Sequence, residues 1–164
     1  MIKPAIVLSA CLALGNTAMA QDASFATKSL TPETALVAAK AALEVCRKGG
    51  YQVTVAIVDR AGITQVLLRD RFAGPHTIDV ATNKAWTAAS MRMSTTAFGL
   101  ETQAGKSMSG LRGHPRVMAA GGGLPIEAGG SFFGGIGVSG APGGDADEAC
   151  AAAGIKAISD SLEF

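Results

Sequence analysis

Glycine is concentrated in one stretch, where it makes up eleven of the twenty-four residues from 121 to 144. Large apolar side chains are interleaved with these glycines, and the pattern predicts a hairpin with strands at residues 124–127 and 132–138. Glycine within a strand leaves room for a helix, another backbone or a flat ligand to approach closely. The composition therefore allows some other element or ligand to lie against this hairpin.

Two β-branched runs, residues 52–59 and 63–69, are separated by three residues that include a glycine. Such a short connection joins antiparallel neighbours, so these runs predict a second hairpin. A helix is expected before it. Thr31 is typical of an N-cap, Pro32 of a first helical position and Gly49-Gly50 of a helix end.

Apolar residues at helical spacing predict another helix over residues 77–93, which Thr77 can cap. A short helix can follow from Ser94 or Thr95, and an acidic first turn favours a last helix over residues 145–162. Helices therefore alternate with hairpins along the chain. This order predicts a single α+β domain in which helices flank a central antiparallel sheet.

The first twenty residues have the features of a secretory signal peptide. Lys3 is their only charged residue, residues 5–14 are apolar, and Ala18-Met19-Ala20 is typical of a cleavage site. The apolar stretch is shorter than the roughly 20 residues that span a bilayer. We therefore expect cleavage after Ala20 and a mature domain, residues 21–164, that is periplasmic or secreted.

A lipoprotein signal ending at Cys11 is the alternative, but only ten residues precede that cysteine. No later apolar run reaches membrane-spanning length, so no membrane insertion is expected.

Without the signal peptide the chain carries 13 basic and 13 acidic residues. Nucleic acids and anionic membranes are bound through clustered excess Lys and Arg, so this balance disfavours them as partners.

Export would make a disulfide chemically possible, and the mature chain has two cysteines, Cys46 and Cys150. Cys46 continues the apolar stripe of the first helix, where a buried free thiol is the simpler interpretation. Cys150 lies near the start of the last helix, at the edge of its apolar face. The sequence leaves open whether the two are bonded.

Gly135-Ile136-Gly137-Val138-Ser139-Gly140 has the G-x-G-x-x-G spacing of dinucleotide-binding turns. That turn needs a strand ending at the first glycine and a helix starting within the motif. Here the glycines lie within or just past a predicted strand, and acidic residues open the helix that follows. The context argues against nucleotide binding. No nucleophile motif is present either, and no catalytic residue is assigned.

The turn Gly74-Pro75-His76-Thr77 places His76 at the start of the predicted second helix, partly exposed. It is either a turn residue without a ligand or an axial ligand or hydrogen-bond donor for a cofactor. Lys84 and Arg92 are eight residues apart and lie within about 80° of each other on a helix. They can hold acidic groups of a ligand, although a solvated face explains them equally well.

Two other features have a plain interpretation beside a functional one. Met91 and Met93 can ligate haem iron, but filling an irregular core is the simpler role. His114 lies in a polar loop with two arginines, where an exposed histidine is the default and a propionate-binding loop the alternative.

Several segments together resemble the GlcG/HbpS family of haem-binding-protein-like domains, which is related to the C-terminal corrinoid-binding domains of PduO proteins. They are VAIVDRAG at residues 55–62, AGPHT at 73–77, KAWTAAS at 84–90, GGGLPI at 121–126 and GGIGVSGAPGGDADEACAAAGI at 134–155. The resemblance covers nearly all of the mature chain, in the expected order. It implies a profilin-like domain that assembles into homo-oligomers, binds haem or a corrinoid and, in some exported relatives, partners a sensor protein.

The resemblance places His76 within a matching motif, so we expect it to be the leading cofactor contact and metal ligand, with Thr77 beside it. Lys84 and Arg92 are the expected partners of the ligand's acidic groups. The function expected is an exported, non-catalytic tetrapyrrole-binding protein for sequestration, presentation or sensing. An enzyme that processes haem, a corrinoid or a small metabolite is one alternative, and an oligomeric interaction module is the other.

Overall fold

The computed structural model describes residues 23–162, most of which lie in four α-helices and four strands. In chain order these are α1 (Pro32–Lys48), β1 (Thr54–Val58), β2 (Thr64–Arg69), α2 (Thr77–Met91), α3 (Thr95–Glu101), β3 (Gly123–Ala128), β4 (Ser131–Ser139) and α4 (Gly144–Lys156). Short 3₁₀ turns at Ser109–Gly113 and Ser159–Ser161 complete the described chain.

The strands form one sheet in the order β2-β1-β4-β3, and every neighbouring pair is antiparallel. Both predicted hairpins are confirmed, since β1 pairs with β2 and β3 with β4. The hairpins meet through β1 and β4, where Ala56 lies opposite Gly137. Helices cover both faces, which confirms the predicted α+β architecture.

One face of the sheet packs against α1 and α4. Val55 and Ile57 of β1 point into this larger core, together with Ile136 and Val138 of β4. A disulfide between Cys46 and Cys150 joins the two helices, with their Cα atoms 5.6 Å apart. The pairing that the sequence left open is therefore present, and it closes a loop with a sequence separation of 104 residues.

The other face packs against α2, and here the strand glycines have a mechanical role. An added Cβ at Gly137 would collide with the carbonyl oxygen of Ala81, and one at Gly135 with that of Ala85. Alanine side chains of α2 and β1 pack in the rest of the interface between this helix and the sheet. The close neighbour predicted for the glycine-rich hairpin is thus a helix backbone, and the G-x-G-x-x-G spacing is a packing feature rather than a nucleotide-binding turn.

The helix starts are largely as predicted. Thr31 caps α1 by accepting a hydrogen bond from the Thr34 amide at 3.2 Å, and Ser94 caps α3 through the Ala97 amide at 3.1 Å. The prediction that Thr77 caps α2 is wrong, because Thr77 is already helical and His76 occupies the cap position without a side-chain cap bond.

Two helix ends fall earlier than expected. α2 ends at Met91 rather than Met93, because Arg92 adopts a left-handed conformation with φ 54°. α4 ends at Lys156, and the chain then turns so that Ile158 and Leu162 are buried in the larger core. Both helices are therefore shorter than their sequence patterns predicted.

The predicted signal peptide, residues 1–20, lies outside the described residues. Within residues 23–162, no helix combines the length and apolar character needed to cross a membrane.

Candidate functional site

The start of α2 is held by hydrogen bonds that converge on Gly74 and Thr77. Thr77 is buried, and its hydroxyl lies 2.6 Å from the Gly74 carbonyl oxygen and 2.7 Å from the Thr54 hydroxyl. The Thr77 amide also donates to the Gly74 carbonyl, at 3.0 Å. Thr77 therefore fixes the turn that carries His76, and its hydroxyl proton is already used within the protein.

His76 is exposed, and its imidazole folds back against Gly74. A Cβ built on Gly74 would lie 2.7 Å from the ring Cε1 and 2.9 Å from Nδ1, but 3.8 Å from Nε2. Any larger residue at position 74 would displace the ring. The glycine thus makes room for this orientation, in which Nε2 is the ring nitrogen farther from the turn.

A cavity of about 480 Å³ opens beside this turn. His76 and Thr77 form one side, Tyr51 and Phe72 contribute aromatic rings, and the β4–α4 connection, residues 139–144, forms another side. Phe72 is 79% exposed although it is large and apolar. This size lies within the usual range of small-molecule sites, and the aromatic side chains suit a flat, partly apolar ligand.

Asp147 borders the cavity and binds Lys84 behind it. The Lys84 ammonium donates to Asp147 Oδ2 at 2.7 Å and to the Val138 carbonyl at 2.9 Å. The other Asp147 oxygen accepts from the Ala141 amide at 3.0 Å. Burial raises the pKa of the Asp147 carboxyl, against the lowering effect of Lys84 and this amide.

This pairing bears directly on the role predicted for Lys84. Its side chain is buried and is not among the residues that line the cavity. Direct contact with an acidic ligand group would therefore require the pair with Asp147 to open. Sequence reasoning missed this partner because the two residues are 63 positions apart.

Arg92 lies at the opposite end of α2 from His76, and a helix of fifteen residues is about 22 Å long. Its guanidinium carbon stacks 3.4 Å from the centre of the Phe132 ring. The structure thus brings His76 and Thr77 together at one cavity and sets Arg92 apart from them. Lys84 and Arg92 do not lie on one helix face as predicted, because α2 ends at Met91 and Arg92 is not helical.

The second histidine lies in a different cluster. His114 stacks on Trp86 with ring centres 5.2 Å apart, and the Arg116 guanidinium lies 4.8 Å from the Trp86 ring. Met91 and Met93 are half-buried. Among residues 23–162, no three His, Cys, Asp or Glu side chains converge in a group that could hold a metal ion.

Comparison with known proteins identifies the family. Residues 30–156 match the family described as haem degrading protein HbpS-like. The chain belongs to this family. The resemblance predicted from the sequence is therefore confirmed.

Two solved structures show how closely the fold agrees. A double mutant of Streptomyces reticuli HbpS is 39% identical with a TM-score of 0.78, covering 88% of this chain and 97% of that one. The complex of PduOC with haem is 31% identical with a TM-score of 0.76, covering 80% of this chain and 96% of that one.

The chain also matches the corrinoid adenosyltransferase PduO of Salmonella typhimurium. The two are 34% identical over 103 residues, which is 62% of this chain but only 31% of PduO. The matched region spans less than two thirds of each curated relative that it resembles.

Proposed function

We propose that the mature chain is an exported, non-catalytic haem-binding protein that holds the tetrapyrrole in the cavity beside His76. The observation that carries this proposal is an exposed imidazole at the edge of a 480 Å³ cavity, in a fold shared with a protein solved as a haem complex. A corrinoid is the alternative ligand, supported by the matches to corrinoid adenosyltransferases.

The residues around the cavity fit such a ligand. Imidazole nitrogen is a common axial ligand of haem iron, and His76 Nε2 is the nitrogen not packed against Gly74. Tyr51 and Phe72 supply ring faces or edges for a planar macrocycle. Thr77 acts by holding the turn, while Lys84 fixes Asp147 at the cavity wall. When bound, haem would supply its iron as the redox-active centre.

Titration of the mature protein with haem, followed by absorption, tests this function. We expect a saturable Soret shift that is weakened at least tenfold in His76→Ala. His114→Ala is the matched control, because it removes the other histidine, which stacks on Trp86, and should titrate as the wild type does. Absence of saturable binding in the wild type would exclude the function, and equal loss in both variants would exclude His76 as the ligand.

Haem processing is the second candidate, favoured by the family's description as haem degrading. The same titration distinguishes haem processing from binding if the spectrum is followed over hours in air, with dioxygen as the oxidant and a reductant present. A stable Soret band supports binding alone. Loss of the band together with a new product by mass spectrometry, abolished in His76→Ala, supports catalysis.

Export belongs to the same proposal. The Cys46–Cys150 disulfide supports it, since disulfides persist mainly in oxidising compartments. Fractionation of the native host should yield periplasmic or secreted protein whose first residue is Gln21, measured by intact mass. A lipid-modified mass starting at Cys11 would instead identify a lipoprotein.

Assembly into homo-oligomers is also proposed, and large apolar side chains exposed on the surface support it, among them Ile63, Leu67 and Leu100. Light scattering of the mature protein with and without haem measures the assembly. An assembly that is insensitive to haem, in a protein that does not bind it, would favour the interaction module. A sensor-protein partner remains a prediction without an assigned surface.

A further inference from the structure

A second cavity, of about 490 Å³, lies at the far end of α2 from His76. Its lining includes Arg60 from the β1–β2 turn, Arg92 from the end of α2, and Ser131 and Phe132 from the start of β4. The segment from Phe25 to Lys28 lines another part of it. None of these residues lines the cavity beside His76.

Phe132 organises the two arginines. The guanidinium carbon of Arg92 is 3.4 Å from the centre of its ring and that of Arg60 is 5.4 Å away, so the two carbons are within about 9 Å of each other. Arg60 also donates a hydrogen bond to the Phe132 carbonyl oxygen. Phe132 itself is buried, which gives both side chains a fixed support.

Among residues 23–162, no ion pair joins either guanidinium to a carboxylate. Arginine remains charged at any physiological pH, so two positive groups share one aromatic ring, and no described carboxylate forms an ion pair with either of them. A bound anion would relieve their repulsion, and guanidinium groups bind carboxylates through paired hydrogen bonds.

The backbone at Arg92 gives a second reason to assign a role to its side chain. Among residues 23–162, Arg92 is the one residue other than glycine with a positive φ. Glycine normally ends a helix in this conformation, because a Cβ is unfavourable there. The need to end α2 therefore does not explain why an arginine, rather than a glycine, occupies position 92. Residues held in an unfavourable backbone conformation by their surroundings are typical of binding sites.

We propose that Arg60 and Arg92 form a binding site for a small dicarboxylate, separate from the cavity beside His76. Each guanidinium holds one carboxylate of the ligand. Two guanidinium groups that contact one ring provide two paired-hydrogen-bond donors, one for each end of a ligand with two carboxylates. The site goes beyond haem binding and does not depend on it.

Binding of succinate to the mature protein tests the proposal, measured by calorimetry at low ionic strength in a buffer free of carboxylates. We expect saturable binding that is at least tenfold tighter than that of acetate. Arg60→Gln and Arg92→Gly should each weaken succinate binding at least tenfold. Arg71→Gln removes an exposed arginine outside this cavity and should bind as the wild type does.

Thermal unfolding without ligand provides the check on folding. Arg92→Gly places the residue that favours a positive φ at this position, so its midpoint should stay within a few degrees of the wild type. Haem titration of both variants should match the wild type. The proposal is overturned if succinate does not saturate, if it binds no better than acetate, or if Arg71→Gln loses as much affinity as the other variants. Loss of haem binding in both arginine variants would also overturn it, by assigning these arginines to the haem.

Discussion

The ammonium of Lys84 in α2 lies 2.7 Å from Asp147 Oδ2 in α4, and both side chains are buried. Removing one member of a buried pair leaves an uncompensated charge, which costs about 3–5 kcal/mol. We expect Lys84→Met to lower the free energy of unfolding by about this amount at pH 7. Urea denaturation measures it, and the double variant Lys84→Met/Asp147→Asn should recover part of the loss.

Burial raises the pKa of Asp147 and Lys84 opposes that rise, so removing Lys84 should raise the folded-state pKa of Asp147 further in Lys84→Met than in the wild type. A carboxyl whose folded-state pKa lies above its unfolded value favours folding most at low pH, and that contribution is lost as pH rises through the folded-state pKa. The variant should therefore lose stability relative to the wild type as pH rises from 4 to 7. A difference that is constant with pH would contradict a buried, unpaired Asp147.

Asp70 should show the opposite dependence. Hydrogen bonds from Arg47, at 2.7 and 2.8 Å, lower the pKa of this carboxyl below its ordinary 3.8. The stabilisation is present above that value and is lost as pH falls through the folded-state pKa. Asp70→Asn should therefore be less stable than the wild type at pH 7, with the difference shrinking below pH 4. Equal acid sensitivity in the two proteins would argue against the pair.

The disulfide should contribute substantially to stability. A bond that closes a loop of about 100 residues restricts the unfolded chain, and removing a native disulfide typically costs about 2–5 kcal/mol. We expect Cys46→Ala/Cys150→Ala to show a loss in this range in urea denaturation. The wild type should become equally unstable under a reductant, while the variant should not respond to it. Thiol labelling of unreduced wild-type protein should modify neither cysteine.

Gly137 should tolerate no side chain. An added methyl group would collide with the Ala81 carbonyl and push α2 from the sheet, at a cost of at least about 1–3 kcal/mol. Gly113→Ala is the matched control, because no atom lies within 4 Å of its added Cβ. Thermal unfolding should show a lower midpoint for Gly137→Ala than for the wild type, and an unchanged midpoint for Gly113→Ala. Equal midpoints would mean that the helix can move away without loss.

Local sequence signals predicted the elements well. Thr31, Pro32 and Gly49 mark α1 correctly, and a three-residue connection marks the first hairpin, because both depend on neighbours in the chain. The end of α2 was predicted two residues too late. Arg92 stacks on Phe132, forty positions along the sequence, and local propensity carries no information on that contact.

The site was predictable only in part. Pro75 and Thr77 indicated a turn that exposes His76, and the structure has that turn beside a cavity. The opposite side of the cavity comes from the β4–α4 connection, more than sixty residues away. For the same reason the pair between Lys84 and Asp147 was missed, and the bond between Cys46 and Cys150 stayed open.

The disulfide between α1 and α4 lies on one face of the sheet, and the first residues of α4 also line the cavity beside His76, whereas no residue of α1 or α4 lines the cavity beside Arg92. The cross-link therefore steadies one wall of the first cavity and leaves the second outside the layer that it joins. Substitutions around Arg60 and Arg92 can change what the second cavity accepts without altering the cross-linked helices.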